Sequence, residues 1–109
     1  MFHMEHLLRF FHSRLDNEAV PVRHRYYIGA MLMEPEPPFK VVAVSKQPIF
    51  RGSEDDDLND TERHTAFHHK RNVVFPAGAV KDGDGWLLSF GVNDSACAVA
   101  RLKFEDLKL

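Results

Sequence analysis

The chain has 109 residues, enough for one domain, with 44% hydrophobic and 28% charged residues and a formal net charge of −2. That composition suits a globular domain with a modest core, gives no electrostatic footprint for nucleic acid or an anionic membrane, and contains no apolar run near the ~20 residues that span a bilayer. The opening MFHMEHLLRFF does not read as a signal peptide and the single cysteine, Cys97, cannot form an internal disulfide, so a cytoplasmic protein is expected.

In chain order, HLLRFFHS (6–13) predicts a first strand, followed by the polar stretch RLDNEAVPV. RHRYYIGAMLM (23–33), rich in residues that favour strands, predicts a second. It stops at EPEPP (34–38), where three prolines forbid a regular helix or a central strand. FKVVAVS (39–45) alternates as a third strand, and PIF follows from Pro48. Turn-rich joins between these pieces predict an antiparallel meander.

Residues 51–71, RGSEDDDLNDTERHTAFHHKR, have almost no apolar content. They predict a long exposed loop, with one helical turn capped by Asn59 or Asp60. NVVFPAGAVK (72–81) then leads to DGDG (82–85), whose Asp-Gly pairs signal a hairpin. WLLSFGV (86–92) pairs back, SACAVARLK (95–103) adds a strand, and FEDLKL (104–109) predicts a short closing helix. No stretch carries a 3.6-residue apolar stripe long enough for a core helix. The fold class is therefore all-β in a single domain, 1–109. Sandwich and propeller blades both suit strands of these lengths.

Several residues have both a chemical and a structural reading. Cys97, among Ala96, Ala98 and Ala100, reads as a small buried hydrophobe, because no partnering histidine motif is nearby. His64 and His68 stand four apart, with His69 and the acidic run 55–57 close by, a spacing that one helix face uses for metals. No Glu adjoins His64, and the segment is polar throughout, so a solvated loop is expected, with no metal and no cofactor. Phe75, Pro76 and Gly78 shape a sheet, Pro76 by ending pairing and Gly78 by permitting a bulge or a close approach. Trp86 can stack on a sugar ring, but core packing is the simpler reading.

At FFHS, YYIGAMLM, VVFPAGAV and SFGVND the chain resembles glycoside hydrolase family 130, the β-mannoside phosphorylases and related hydrolases, which fold as five-bladed β-propellers. His12, Tyr26 to Ala30, Pro37 and Pro38, Lys40 to Val42, Phe75 to Gly78, and Gly91 to Asp94 follow the family's order of motifs. The departures are Ser89-Phe90-Gly91 where the family usually has Tyr-Tyr-Gly, an additional amide at Asn93, and Ser13 where Gly often follows the histidine. The resemblance covers about two blades at the C-terminal end of such a propeller.

It implies that His12 helps to hold inorganic phosphate, as a donor or cationic imidazole can. The structural alternative is a strand-end histidine capping a carbonyl. It implies that Asp94 contacts the substrate sugar, whose vicinal hydroxyls suit paired carboxylate oxygens; the alternative is an Asx-turn. Tyr26 places its hydroxyl at the site edge or belongs to the core. The resemblance also assigns the general-acid Asp and the phosphate-holding arginines to blades upstream of the match. One copy of residues 1–109 is thus expected to lack a complete catalytic constellation. The expected function is carbohydrate-related, with a small sugar or phosphate as ligand. The alternatives are a non-catalytic sugar-binding or assembly module, or the end piece of a longer glycosidase or glycosyltransferase. Two blades leave sheet edges and apolar faces uncovered, which predicts a homo-oligomer, a two-fold dimer by preference.

Overall fold

A computed structural model describes residues 2–16, 24–52, 73–93 and 96–109. Among these residues the regular elements are strands except one terminal turn: β1 (Phe2–His3), β2 (His6–Asp16), β3 (His24–Met33), β4 (Val41–Val44), β5 (Phe50–Arg51), β6 (Val74–Asp82), β7 (Gly85–Val92), β8 (Ala96–Lys103) and a 3₁₀ turn (Phe104–Leu107). The strands form two antiparallel sheets. The first runs β1-β2-β3-β4, with β5 also on β3; the second runs β6-β7-β8. The strand expectations hold, with β1 as an addition. The closing helix is a single 3₁₀ turn, capped where the Asp106 carboxylate accepts from the Lys103 N–H at 2.8 Å. Arg51 ends β5 and the Gly52 N–H donates to the Tyr26 carbonyl at 2.8 Å, so the first two residues of the expected loop belong to the sheet. Residues 53–71, with the proposed helical turn and His64, His68 and His69, lie outside the described residues.

Register decides what is buried. In the first sheet His12 stands opposite Ile28, Phe10 opposite Ala30 and Leu8 opposite Leu32, so the even-numbered residues of β2 and β3 share one face. In the second, Trp86, Leu88 and Phe90 share a face with Leu102, Ala100 and Ala98. The two faces meet in one core of Leu8, Ile28, Ala30, Val74, Trp86, Leu88, Leu102 and Leu107, with Phe10, Tyr26, Phe50 and Phe90 packed against it. Phe50 and Phe90 stack across the junction with centroids 4.9 Å apart.

Cys97 is a correction to the sequence reading. It is exposed, on the outward face opposite Gly91, while Ala98 pairs with Phe90. Pro76 is another: it does not end pairing but stands opposite Phe90 on an edge strand, whose free side needs no N–H. The bulge expected at Gly78 is present, between Pro76 and Gly78.

The sheets are also joined by hydrogen bonds at Ser45. Its Oγ accepts from the Ala30 N–H at 2.8 Å, filling a gap in the β3 ladder between β4 and β5. Its hydroxyl reaches the Leu107 carbonyl at 2.6 Å, and the Lys46 N–H donates to the Lys108 carbonyl at 2.6 Å. The end of the second sheet is thereby fastened to the first. On each outward face a phenylalanine covers a cross-strand glycine, Phe11 over Gly29 and Phe75 over Gly91.

Candidate sugar and phosphate site

His12 lies on β2, exposed, at the margin of the inward face. Tyr26 is its diagonal cross-strand neighbour, because Tyr26 pairs with Arg14 two residues along. The two rings stack with centroids 5.8 Å apart and 26° between planes. Phe75 of the second sheet meets the imidazole edge-on at 6.4 Å. The structure thus brings two of the sequence-predicted residues together where the sheets meet. Asp94 lies outside the described residues.

A groove of about 570 Å³ adjoins this corner, lined by Phe75, Ala77, Ser89, Phe90, Gly91, Ala96 and Cys97. It is mostly apolar. The Ser89 hydroxyl, which donates to the Gly78 carbonyl at 3.2 Å, supplies one of its few polar groups. Among the described residues no carboxylate lines it. The aspartates Asp82 and Asp84 lie at the far end of the β6–β7 hairpin, held there by Arg101 at 3.0 and 2.9 Å. That guanidinium, bonded to the Asp84 carboxylate, holds it below the usual carboxylate range. The corner can therefore present an imidazole, a phenol and an aromatic edge to a polar ligand, without an acid–base pair among the described residues. No group of three or more metal-ligating side chains occurs among the described residues either.

Asn93, the additional amide, has a structural role. It is 2% exposed with φ of 53°, so the chain leaves β7 through a left-handed residue. Its Oδ1 accepts from the Val73 N–H at 3.0 Å and its own N–H donates to the Val73 carbonyl at 2.8 Å. This clasp fixes the β7 exit beside Phe75 and Gly91. The sequence hint was an Asn at a strand end, since Asn tolerates left-handed backbone better than most residues. Asn93→Ala orphans a buried N–H and puts alanine at positive φ, so a loss of about 2–4 kcal/mol is expected in urea unfolding. A change below about 1 kcal/mol would mean that the clasp contributes little.

A family model described as β-1,4-mannooligosaccharide phosphorylase matches residues 4–108, nearly the whole chain. The chain belongs to glycoside hydrolase family 130. Family 130 proteins are β-propellers, in keeping with the all-β antiparallel architecture. The chain is similar to the β-1,2-mannobiose phosphorylase of Thermoanaerobacter sp. (strain X514), with 31% identity over 83 residues, covering 76% of this chain and 25% of that protein. It is also similar to the β-1,2-mannobiose phosphorylase of Listeria innocua serovar 6a (strain ATCC BAA-680 / CLIP 11262), with 30% identity over 84 residues, covering 77% of this chain and 21% of that protein. The chain thus spans a quarter or less of the length of these family 130 relatives. No solved structure matches it. No helix among the described residues is long and apolar enough to cross a membrane.

Proposed function

We propose that this chain forms the part of a family 130 phosphorylase fold that faces phosphate and sugar, as about two blades of a five-bladed propeller. The observation that supports this most is the meeting of His12, Tyr26 and Phe75 at one corner between the sheets. His12 holds inorganic phosphate, Tyr26 borders the site, and Asp94 contacts the sugar hydroxyls. The ligand class is a β-mannoside with phosphate, in line with the activities named for the relatives. The general acid and the phosphate-clamping arginines come from outside this constellation, so one copy alone does not turn over substrate at phosphorylase rates. General acid help alone contributes about 10²–10⁴-fold.

A second reading, as an assembly module, is favoured by the outward apolar residues Leu15 and Val99, 64% and 68% exposed. We place a two-fold homodimer interface on these faces, in the cytoplasm where a lone exposed thiol stays reduced. Titration calorimetry with phosphate, mannose and short β-mannosides tests the site. Binding that weakens at least tenfold in His12→Ala, with circular dichroism unchanged, is the expected result. Equal binding in that folded variant, or robust sugar-phosphate release by the chain alone, would overturn the assignment. Light scattering in the same samples should give twice the 12.5 kDa chain mass.

A further inference from the structure

At the end of the molecule away from His12, four elements converge on His3. Its imidazole stacks on Phe104 of the 3₁₀ turn, with centroids 4.8 Å apart and 24° between planes. It meets Trp86 of β7 edge-on at 5.2 Å. The ammonium of Lys81, from β6, sits 4.5 Å over the Trp86 ring, and His6 of β2 is the direct cross-strand partner of His3. Of the carboxylates on the 3₁₀ turn, Asp106 is engaged by the Lys103 N–H and Glu105 is exposed. The imidazole therefore sits among aromatic rings, with Lys81 and His6 as basic neighbours and Glu5, exposed, in the turn that follows.

The strand that carries His3 is held lightly. β1 has two residues, paired as Phe2 with Leu7 and His3 with His6. The turn between β1 and β2 is Met4-Glu5, with φ of 48° and 69°. A two-residue hairpin of this hand favours Asn-Gly or Asp-Gly, and side chains at both positions strain it. The ring contacts of His3 oppose that strain.

We propose that His3 is an acid-operated latch, in which the neutral imidazole seats β1 against Trp86 and Phe104 and protonation releases it. A protonated ring would add a cation beside Lys81, in a site whose aromatic rings partly shield it from water. Consistently, burial first, then Lys81 and His6, lower the His3 pKa from its ordinary value. The sign follows from proton counting. The released state binds the proton more readily, so the latch is fully closed above the ordinary histidine value of about 6.5 and opens as pH falls through the lower, seated value.

Trp86 is the sole tryptophan, so its fluorescence reports this site alone. Between pH 8 and 4.5 the emission should shift to the red in one transition with a midpoint below about 6.5, while far-UV circular dichroism keeps its β signature. His3→Phe retains a ring without a proton and should abolish the transition. Lys81→Met should move the midpoint up, and does so without altering β1 itself. An unchanged transition in His3→Phe, an unmoved midpoint in Lys81→Met, a flat wild-type profile, or loss of β signal at the same midpoint would each overturn the latch.

Discussion

Trp86→Ala is expected to destabilise the fold by about 3–5 kcal/mol, the range for removing a fully buried large aromatic. Domains of this size are stable by only about 5–15 kcal/mol, so the variant would sit near the edge of folding. The reason is position as well as size. Trp86 is fully buried at the start of β7, paired to Lys81 on one side and Leu102 on the other. Its ring fills the core shared by Leu8, Leu88, Leu102 and Leu107, and it is what His3 and Lys81 pack upon. Alanine would leave a cavity that strands fixed by two ladders cannot collapse to fill. The indole Nε1 has no hydrogen-bond partner among the described residues, and an unpaired buried donor costs about 1–3 kcal/mol. Trp86→Phe removes that penalty along with some volume, so it should lie much closer to the wild type than alanine does. Guanidinium unfolding of both variants is the check. A Trp86→Ala loss below about 1 kcal/mol would show that the sheets cohere without this ring.

Gly85→Ala is expected to cost at least as much as ordinary core overpacking, about 1–3 kcal/mol and more where backbone must move. An added Cβ would collide with the carbonyl oxygen of Leu102, and the carbonyl carbon lies 3.2 Å away. Neither can rotate aside, because Leu102 is paired to Trp86 within the β7–β8 ladder. Gly78→Ala is the matched control: its nearest neighbour would be the Ser89 Oγ at 3.6 Å, an ordinary contact. That substitution should be neutral or stabilise by about 0.4–1 kcal/mol, through the reduced freedom of the unfolded chain. Denaturation midpoints of the two variants should therefore move apart. Equal midpoints would mean that the β7–β8 register yields easily at Gly85.

The all-β class was legible because the strand segments alternate or run apolar between Pro, Gly and Asp punctuation, and DGDG marked its hairpin without tertiary information. Family membership was legible too, since ordered short motifs survive where no single one is specific. The candidate site was legible only in its members. His12 and Tyr26 could be named from the sequence, but their stacking depends on a β2–β3 register that places Tyr26 diagonally across from His12. Phe75 joins them from another sheet, a contact no local pattern encodes.

Local alternation determined that ACAVARLK is a strand, but not which of its faces turns inward, because Ala, Cys, Val and Ala are apolar on both. Pairing with β7 decided it, setting Ala98 beside Phe90 and turning Cys97 outward. The same holds for the polar residues that fasten the fold. Ser45 and Asn93 read as strand-end residues in sequence, and become a ladder substitute and a clasp only when Ala30, Leu107 and Val73 arrive from elsewhere in the chain. Local periodicity and turn chemistry act over a few residues and can be read one segment at a time. Parity, buried hydrogen bonds and the His3–Trp86–Phe104 cluster depend on partners distant in the chain, and only the packed sheets bring those partners within reach.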